Sequence, residues 1–407
     1  MNSQLVQQLI RNYRPGFSLE QAFYIHSDVF AYEWEYIFKT QWLYAGSTAQ
    51  IPKPGDYFLY QLRQESIIVI RGNHGEVHAH YNTCRHRGSA ICLADAGHAV
   101  KLICPYHQWV YDKDGTLLQA RMMPDDFCKE EYALQSVQVR VAEGLIFICL
   151  SADAPDFSPV LKSLAPYIRP YNIHKAKLAC KKNYILQANW KLVAENFREC
   201  YHCGGAHPEY CNAVIGASLR EDTQALTTDK QQDWKAKGLA TELVEAVNDT
   251  TTYAIRYPLR PGIESYSVDG KKVSIPMGMH TDHDAGVVGL VNYPNFWMDA
   301  VSDYIWTMRV TPVSASVTDV EFCWLVDEKA IEGKDYTIER LTEFWEITGE
   351  QDGKLCENNF KGILSSAYRP GPYAPVEDQV MNFVNWCVAR LKEGLAKGTK
   401  QGSEKYF

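Results

Sequence analysis

Cys84, His86, Cys104 and His107 are the residues whose types and spacing point most directly to chemistry. They read Cys-x-His, 17 intervening residues, then Cys-x-x-His. Two thiolates and two imidazoles are the donor set of a 2Fe–2S centre in which two His replace two Cys on one iron and raise its potential. A structural zinc site takes the same four donors. Zinc sites of that kind usually pair Cys with Cys and His with His, whereas both pairs here are mixed. Mixed pairs suit a cluster in which one iron takes both thiolates and the other both imidazoles. Gly88 and Pro105 are turn formers, consistent with two loops that reach over a metal from small hairpins. The iron–sulfur cluster is the expectation and zinc its rival.

A second constellation follows in residues 189–209. Trp190, Val193, Ala194 and Phe197 recur at helical spacing, so an amphipathic helix is expected with His202 near its end. His207, five positions on, would point away from His202 on an unbroken helix. Gly204-Gly205 can break it and let both imidazoles converge. A catalytic iron needs a third, anionic donor, and the 2-His-1-carboxylate set leaves positions open for dioxygen. Asp352 is the candidate. It shares a stripe with Leu341, Trp345, Thr348 and Leu355 in a helix expected over 335–364. A buried aspartate is costly unless paired or metal-bound. Core histidines and a buried salt bridge are the plain alternatives.

The elements that must position these groups can be read in outline. Residues 1–40 give a polar lead and then a helix over 21–38, with Ser18 as its N-cap. Short β-type runs follow at 57–62, 66–71, 77–82, 101–104, 109–111 and 145–150. Gly72-Asn73-His74-Gly75 and Asp112-Lys113-Asp114-Gly115 mark turns between them. Ser151-Ala152-Asp153-Ala154-Pro155 reads as a linker. The expected fold class is α+β: an N-terminal helical segment (1–40), an all-β domain holding the four-donor motif (41–153), and a larger mixed domain (154–407). No internal repeat stands out.

Composition narrows the function classes. A net charge of −8 argues against nucleic acid as a partner. No apolar run approaches the roughly 20 residues that cross a bilayer. The N-terminus lacks an apolar secretory region, so the expectation is a cytoplasmic protein with reduced thiols. Cys92, Cys128, Cys149, Cys180, Cys211, Cys323 and Cys387 read as ordinary buried thiols. His280-Thr281-Asp282-His283-Asp284 looks metal-like but reads as a solvated loop near a substrate entrance. Arg85 and Arg87 suit either an acidic partner or carbonyl capping.

Together these segments resemble the α subunits of Rieske non-haem iron oxygenases of the ring-hydroxylating type. The likeness runs over nearly the whole chain. It rests on the four-donor motif and on Asn189-Trp190-Lys191, Glu195-Asn196, Glu199, Tyr201-His202, His207-Pro208 and Glu350-Gln351-Asp352. It implies a Rieske cluster on Cys84, His86, Cys104 and His107, and a mononuclear Fe(II) on His202, His207 and Asp352. The catalytic domain would be helix-grip-like, an antiparallel sheet with helices. The resemblance further implies a homo-oligomer, a trimer in which one subunit's cluster serves its neighbour's iron. Electrons would come from a ferredoxin/flavin reductase component, with NAD(P)H and flavin residing only there.

Most ring hydroxylases carry Asp at the bridging position, where this chain has Glu199. That exchange is similar to the branch acting on glycine betaine, proline betaine (stachydrine) and carnitine. So are the stretches Arg14-Pro15-Gly16-Phe17-Ser18-Leu19-Glu20-Gln21 and Tyr368-Arg369-Pro370-Gly371-Pro372-Tyr373. The candidate catalytic residues are Glu199, which the resemblance makes the link between His107 of one subunit and His202 of the next, and Asn196, which with Phe197 lies beside the iron helix as candidate pocket lining. A quaternary ammonium group donates no hydrogen bond, so aromatic faces must recognise it through cation–π contact. Phe197, Trp297, Tyr304 and Trp306 are the candidate lining, the last three in a strand-like region with Phe296 where alternation turns only some side chains inward. The implied reaction uses O2 to hydroxylate an N-methyl group, giving a demethylated amine and formaldehyde. Arene, steroid or alkaloid hydroxylation is the alternative within the family, and a Rieske electron-transfer protein the alternative outside it.

Overall fold

The computed structural model describes residues 3–214, 223–246 and 251–404. Where a polar lead was expected, α1 (Ser3–Asn12) forms and buries Val6 and Leu9. The single helix expected over 21–38 is three pieces: α2 (Gln21–Ile25), α3 (Ser27–Glu33) and a π-helical turn, Trp34–Phe38. The break lies at His26, whose backbone is extended and whose Nδ1 accepts from the Asp28 amide at 3.1 Å, capping α3. Ser18 caps nothing here. Its backbone amide donates to the Gly371 carbonyl (2.9 Å) and its hydroxyl accepts from the Gly371 amide (3.0 Å). Phe17 and Pro372 form a β-bridge there, so the two stretches singled out at opposite ends of the sequence lie side by side.

Ten short strands follow: β1 (Leu43–Ser47), β2 (Asp56–Leu62), β3 (Glu65–Arg71), β4 (Val77–Tyr81), β5 (Ala96–His98), β6 (Leu102–Ile103), β7 (Val110–Tyr111), β8 (Leu117–Gln119), β9 (Gln138–Ala142) and β10 (Leu145–Cys149). They make antiparallel sheets ordered β1-β10-β9, β4-β3-β2-β5 and β6-β7-β8. Both expected turn sequences connect strands, between β3 and β4 and between β7 and β8. After α4 (Ser158–Ile168) comes a six-stranded antiparallel sheet: β11 (Lys177–Leu186), β12 (Thr252–Tyr257), β13 (Val287–Asn292), β14 (Phe296–Ala300), β15 (Ile305–Pro312) and β16 (Thr318–Val326). Its order is β11-β16-β15-β14-β13-β12.

Side-chain alternation along those strands splits the core in two. Val288, Leu290, Phe296, Met298, Ala300 and Ile305 face Phe147 of β10 and Leu164 of α4. On the other face, Val287, Val291, Trp306, Met308, Phe322 and Trp324 join the core formed with α5 (Trp190–Asn196), α9 (Ile338–Ile363) and α10 (Asp378–Glu404). Between α5 and α9 lie two one-turn helices, α6 (Cys203–Ala206) and α7 (Pro208–Ala213), and then α8 (Thr223–Ala236). Among the described residues, no helix is long and apolar enough to cross a membrane.

Candidate metal centres

The two halves of the Cys/His motif occupy loops built alike. In the first, the Gly88 amide donates to the Cys84 carbonyl (3.0 Å) and the Cys84 amide to the Ser89 carbonyl (2.9 Å). In the second, the Gln108 amide donates to the Cys104 carbonyl (3.0 Å) and the Cys104 amide to the Trp109 carbonyl (2.9 Å). Gly88 and Gln108 occupy equivalent positions at φ +78° and +61°. Pro105 lies in the turn of the second loop, as expected, and Gln108 supplies its left-handed residue. Both cysteines are buried. Burial and the neighbouring Cys104 thiol raise the pKa of Cys84, against the Tyr111 hydroxyl 3.3 Å away, which lowers it. The Nδ1 atoms of His86 and His107 meet at 3.2 Å, and His86 stacks on Trp109. Adjacent thiols and facing imidazole nitrogens, one of each from each loop, fit a two-iron cluster with segregated sulfur and nitrogen donors.

The second centre is built on the loop after α5. Asn189 caps that helix, its side chain accepting from the Lys191 amide at 3.0 Å. Trp190 and Lys191 hold it to the N-terminal segment through Glu33, at 2.9 and 2.5 Å. The helix ends at Asn196, before His202. The expected break at Gly204-Gly205 is therefore misplaced: both glycines lie inside α6, which begins just after His202 and ends just before His207. Pro208 then opens α7. The two imidazoles thus flank a single helical turn.

Asp352, on the buried stripe of α9, receives both rings. Its Oδ1 is 3.3 Å from His202 Nε2 and 2.9 Å from His207 Nε2. One donor atom from each residue lies within 4.8 Å of the others. The remote nitrogens are also held: Glu199 Oε1 is 2.5 Å from His202 Nδ1, and Gln351 Oε1 accepts from His207 Nδ1 at 2.7 Å. Such outer contacts fix ring orientation and tautomer at a metal. Burial works against a charged His202, yet hydrogen bonds to Asp352 and Glu199 outweigh it and raise the pKa to about 10. The point shared by the three donors therefore attracts positive charge, and two imidazoles with one carboxylate fit divalent iron.

A cavity of about 410 Å³ opens on this centre. The α5–α6 loop, Asp352 and Trp345 of α9, and the site-facing residues of β12, β13 and β14 line it. Of the residues expected to contact substrate, Asn196, Phe197 and Trp297 line the cavity and Tyr304 and Trp306 do not. Trp306 is 0% exposed because Trp345 stacks on it at 3.9 Å. Tyr304 is 1% exposed, its hydroxyl donating to the Tyr266 carbonyl (2.7 Å) and accepting from Trp345 Nε1 (3.1 Å). Trp345 of α9 covers Trp306 and contacts Tyr304. Tyr257 and Asp299 line the cavity and went unnoticed. Asp299 was visible as the one acid in the apolar run 296–301, two positions from Trp297.

The 280–284 loop is solvated as expected, with Asp282 and Asp284 exposed, and does not itself line the cavity. Lys230 of α8 holds Asp284 (3.0 Å) and Lys237, just beyond that helix, holds Asp282 (3.1 Å). The reading of the cysteines changes in part. Cys128 is exposed, and Cys180 and Cys211 are only half-buried.

Two family descriptions match the chain. Rieske [2Fe-2S] domain covers residues 41–138, and Ring hydroxylating alpha subunit (catalytic domain) covers residues 171–393. A glycine betaine monooxygenase oxygenase subunit from Pseudomonas aeruginosa is 39% identical over 398 residues, 96% of this chain and 92% of the relative. Its counterpart from Chromohalobacter salexigens is 38% identical over 387 residues, 93% of this chain and 86% of the relative. A solved quaternary ammonium Rieske monooxygenase in complex with an inhibitor shares the fold. Its TM-score is 0.72 at 22% identity, covering 94% of this chain and 98% of that one.

Proposed function

Because this chain belongs to the ring-hydroxylating α subunits, which join a Rieske 2Fe–2S domain to a catalytic domain for mononuclear iron, we propose that it oxidises a quaternary ammonium N-methyl group. It is an oxidoreductase of the Rieske type. The substrate we assign is a betaine such as glycine betaine or proline betaine. The observation that carries this reading is the cavity. One wall is the three-donor centre, while Phe197, Trp297, Tyr210 and Tyr257 supply aromatic surface on the others. Aromatic faces attract a desolvated ammonium that cannot hydrogen-bond.

Cys84, His86, Cys104 and His107 would hold the cluster, and His202, His207 and Asp352 the iron. When bound, these groups supply electrons singly and dioxygen activation, so that one oxygen atom enters a C–H bond and the other leaves as water. Glu199 and Gln351 fix the two imidazoles from behind. Phe197 and Trp297 turn the ammonium so that a methyl group faces the metal donors, and the enclosing aromatics exclude water from it. The hydroxymethyl ammonium product then collapses. Its O–H proton leaves, a C=O bond forms, and the C–N electron pair returns to nitrogen, giving formaldehyde and a tertiary amine.

We divide the chain into an N-terminal segment (1–40), a Rieske domain (41–153) and a catalytic domain (154–407). We place it in the cytoplasm as a homotrimer fed by a separate ferredoxin/flavin reductase. Exposed Leu93, Ile103, Tyr106 and Met122 in and around the cluster-bearing hairpins, with exposed Tyr201 beside the metal loop, support packing of the Rieske edge on another subunit. There Glu199 would join His107 of one subunit to His202 of the next.

Oxygen uptake with a reductase and NAD(P)H tests the assignment. A trimethylammonium compound should stimulate uptake and yield one formaldehyde per O2. Stimulation by an arene, steroid or alkaloid alone would move the chain to the other branch. Two irons per subunit instead of three would make it an electron carrier.

A further inference from the structure

Asp299 is a buried acid on the cavity lining that the reaction described above does not use. It is 4% exposed and shares the site-facing edge of β14 with Trp297. Its carboxylate accepts from Trp297 Nε1 at 2.8 Å and from the Tyr257 hydroxyl at 3.3 Å, both neutral donors. It forms no ion pair with any described residue. Arg198, on the same lining, is engaged elsewhere, its guanidinium 4.8 Å from the Tyr293 ring centre and 4.3 Å from that of Phe383. Directly across the strand pair stands Gly289. A Cβ there would lie 3.5 Å from Asp299 Oδ1 and 3.4 Å from the Tyr257 ring, so glycine keeps the space before the carboxylate open.

An acid needed only to anchor an indole and a phenol could be an asparagine, which accepts the same hydrogen bonds without burying a charge. Burial pushes Asp299 up to about 7, the mark of a carboxylate for which this chain provides no cation.

We propose that Asp299 is a specificity-determining residue that selects a cationic head group, seated between its carboxylate and the faces of Trp297 and Tyr257. This rests on the quaternary-ammonium reading and names the group that supplies the opposite charge. A cation enclosed there meets Asp299 in a low dielectric, where a charge pair is far stronger than in water. Aromatic faces alone would accept an isosteric neutral group with a smaller loss.

The test compares glycine betaine with 3,3-dimethylbutanoate, in which carbon replaces the ammonium nitrogen. Both carry the same carboxylate, so its contribution cancels. Calorimetric affinities are measured on the iron-loaded wild type and on Asp299→Asn. The wild type should prefer glycine betaine by about 30-fold or more, and Asp299→Asn should bring the two within about threefold of each other. Iron content and the Rieske absorption should be unchanged. If Asp299→Asn keeps the wild-type preference, the role of Asp299 is overturned and the quaternary-ammonium reading stands. If the wild type binds both compounds equally, both ideas fall. Should Asp299→Asn fold poorly, Asp299→Ser removes the same charge and is read in the same way.

Discussion

At the scale of single residues, the donors we propose for iron are distinguished by what stands behind them. His202 and His207 both turn Nε2 to one oxygen of Asp352, and each has its Nδ1 held by a neighbour, Glu199 or Gln351. Asp352→Ala should therefore empty the mononuclear site while the Rieske spectrum survives, leaving about two irons per subunit. Three irons in that variant would mean another carboxylate is the ligand. Glu199→Gln keeps the shape and loses the charge. It should retain both metals yet cut coupled turnover about 100-fold, with electron transfer from cluster to iron slowed in stopped flow. Unchanged substrate oxidation would remove the bridging role. The convergence of these residues was legible because Cys and His at fixed spacings, and an acid on an apolar stripe, are costly patterns with few uses. Gln351 was not legible as an orienting residue, since a glutamine beside a buried acid has no distinctive signature. Asp299 was passed over for the opposite reason: the aromatics around it drew the expectation.

Elements explain what residue patterns left unsettled. The helix expected to carry His202 stops at Asn196, and one turn of α6 sets the spacing of the two histidines. Periodicity located the apolar face of α5 but held no information about where its backbone hydrogen bonds end. Alternation likewise turns only some aromatics of this region inward and could not show that Trp345 covers Trp306 and contacts Tyr304. The start of α5 is fixed across the molecule by Glu33 of α3, which forms an ion pair with Lys191, both 1% exposed. Removing one partner strands the other in the core. Glu33→Ala should cost roughly 3–5 kcal/mol and lower iron occupancy, read by thermal unfolding and metal analysis. A melting point within a degree or two of wild type would show that the pair does not brace the metal loop.

At the other end of α5, desolvation raises Glu195 to about 7, although Tyr24 (3.1 Å) and Tyr373 (3.4 Å) hydrogen-bond to it. A group with a raised folded-state pKa favours the fold when protonated, so its contribution is full below about 4.5 and is lost as the pH rises through 7. The thermal midpoint of the wild type should fall between about pH 4.5 and 7 and level off above that, and Glu195→Gln should reduce the slope, leaving the part due to Asp299. An identical slope in both proteins would place the titrating group elsewhere.

At the scale of the whole molecule, two sheet-built regions serve one reaction. The N-terminal segment and the 368–373 stretch, far apart in sequence, meet through the Phe17–Pro372 bridge and close against α5. The division into a small all-β part and a larger α+β part was legible, because strand-length runs with turn signals differ visibly from long apolar helical stripes. The helix break at His26 and the extra helix α1 were not: the first turns on the His26 ring capping the Asp28 amide, and the second on Val6 and Leu9 packing into the core. We propose that these parts together remove an N-methyl group from a quaternary ammonium compound. The most direct test is a single turnover of the reduced, iron-loaded protein in air, offered trimethylammonium compounds, neutral amines and arenes, with formaldehyde and hydroxylated products quantified. A betaine should yield formaldehyde and the matching tertiary amine, and the arenes nothing. A ring-hydroxylated arene with no formaldehyde from any betaine would contradict the proposal.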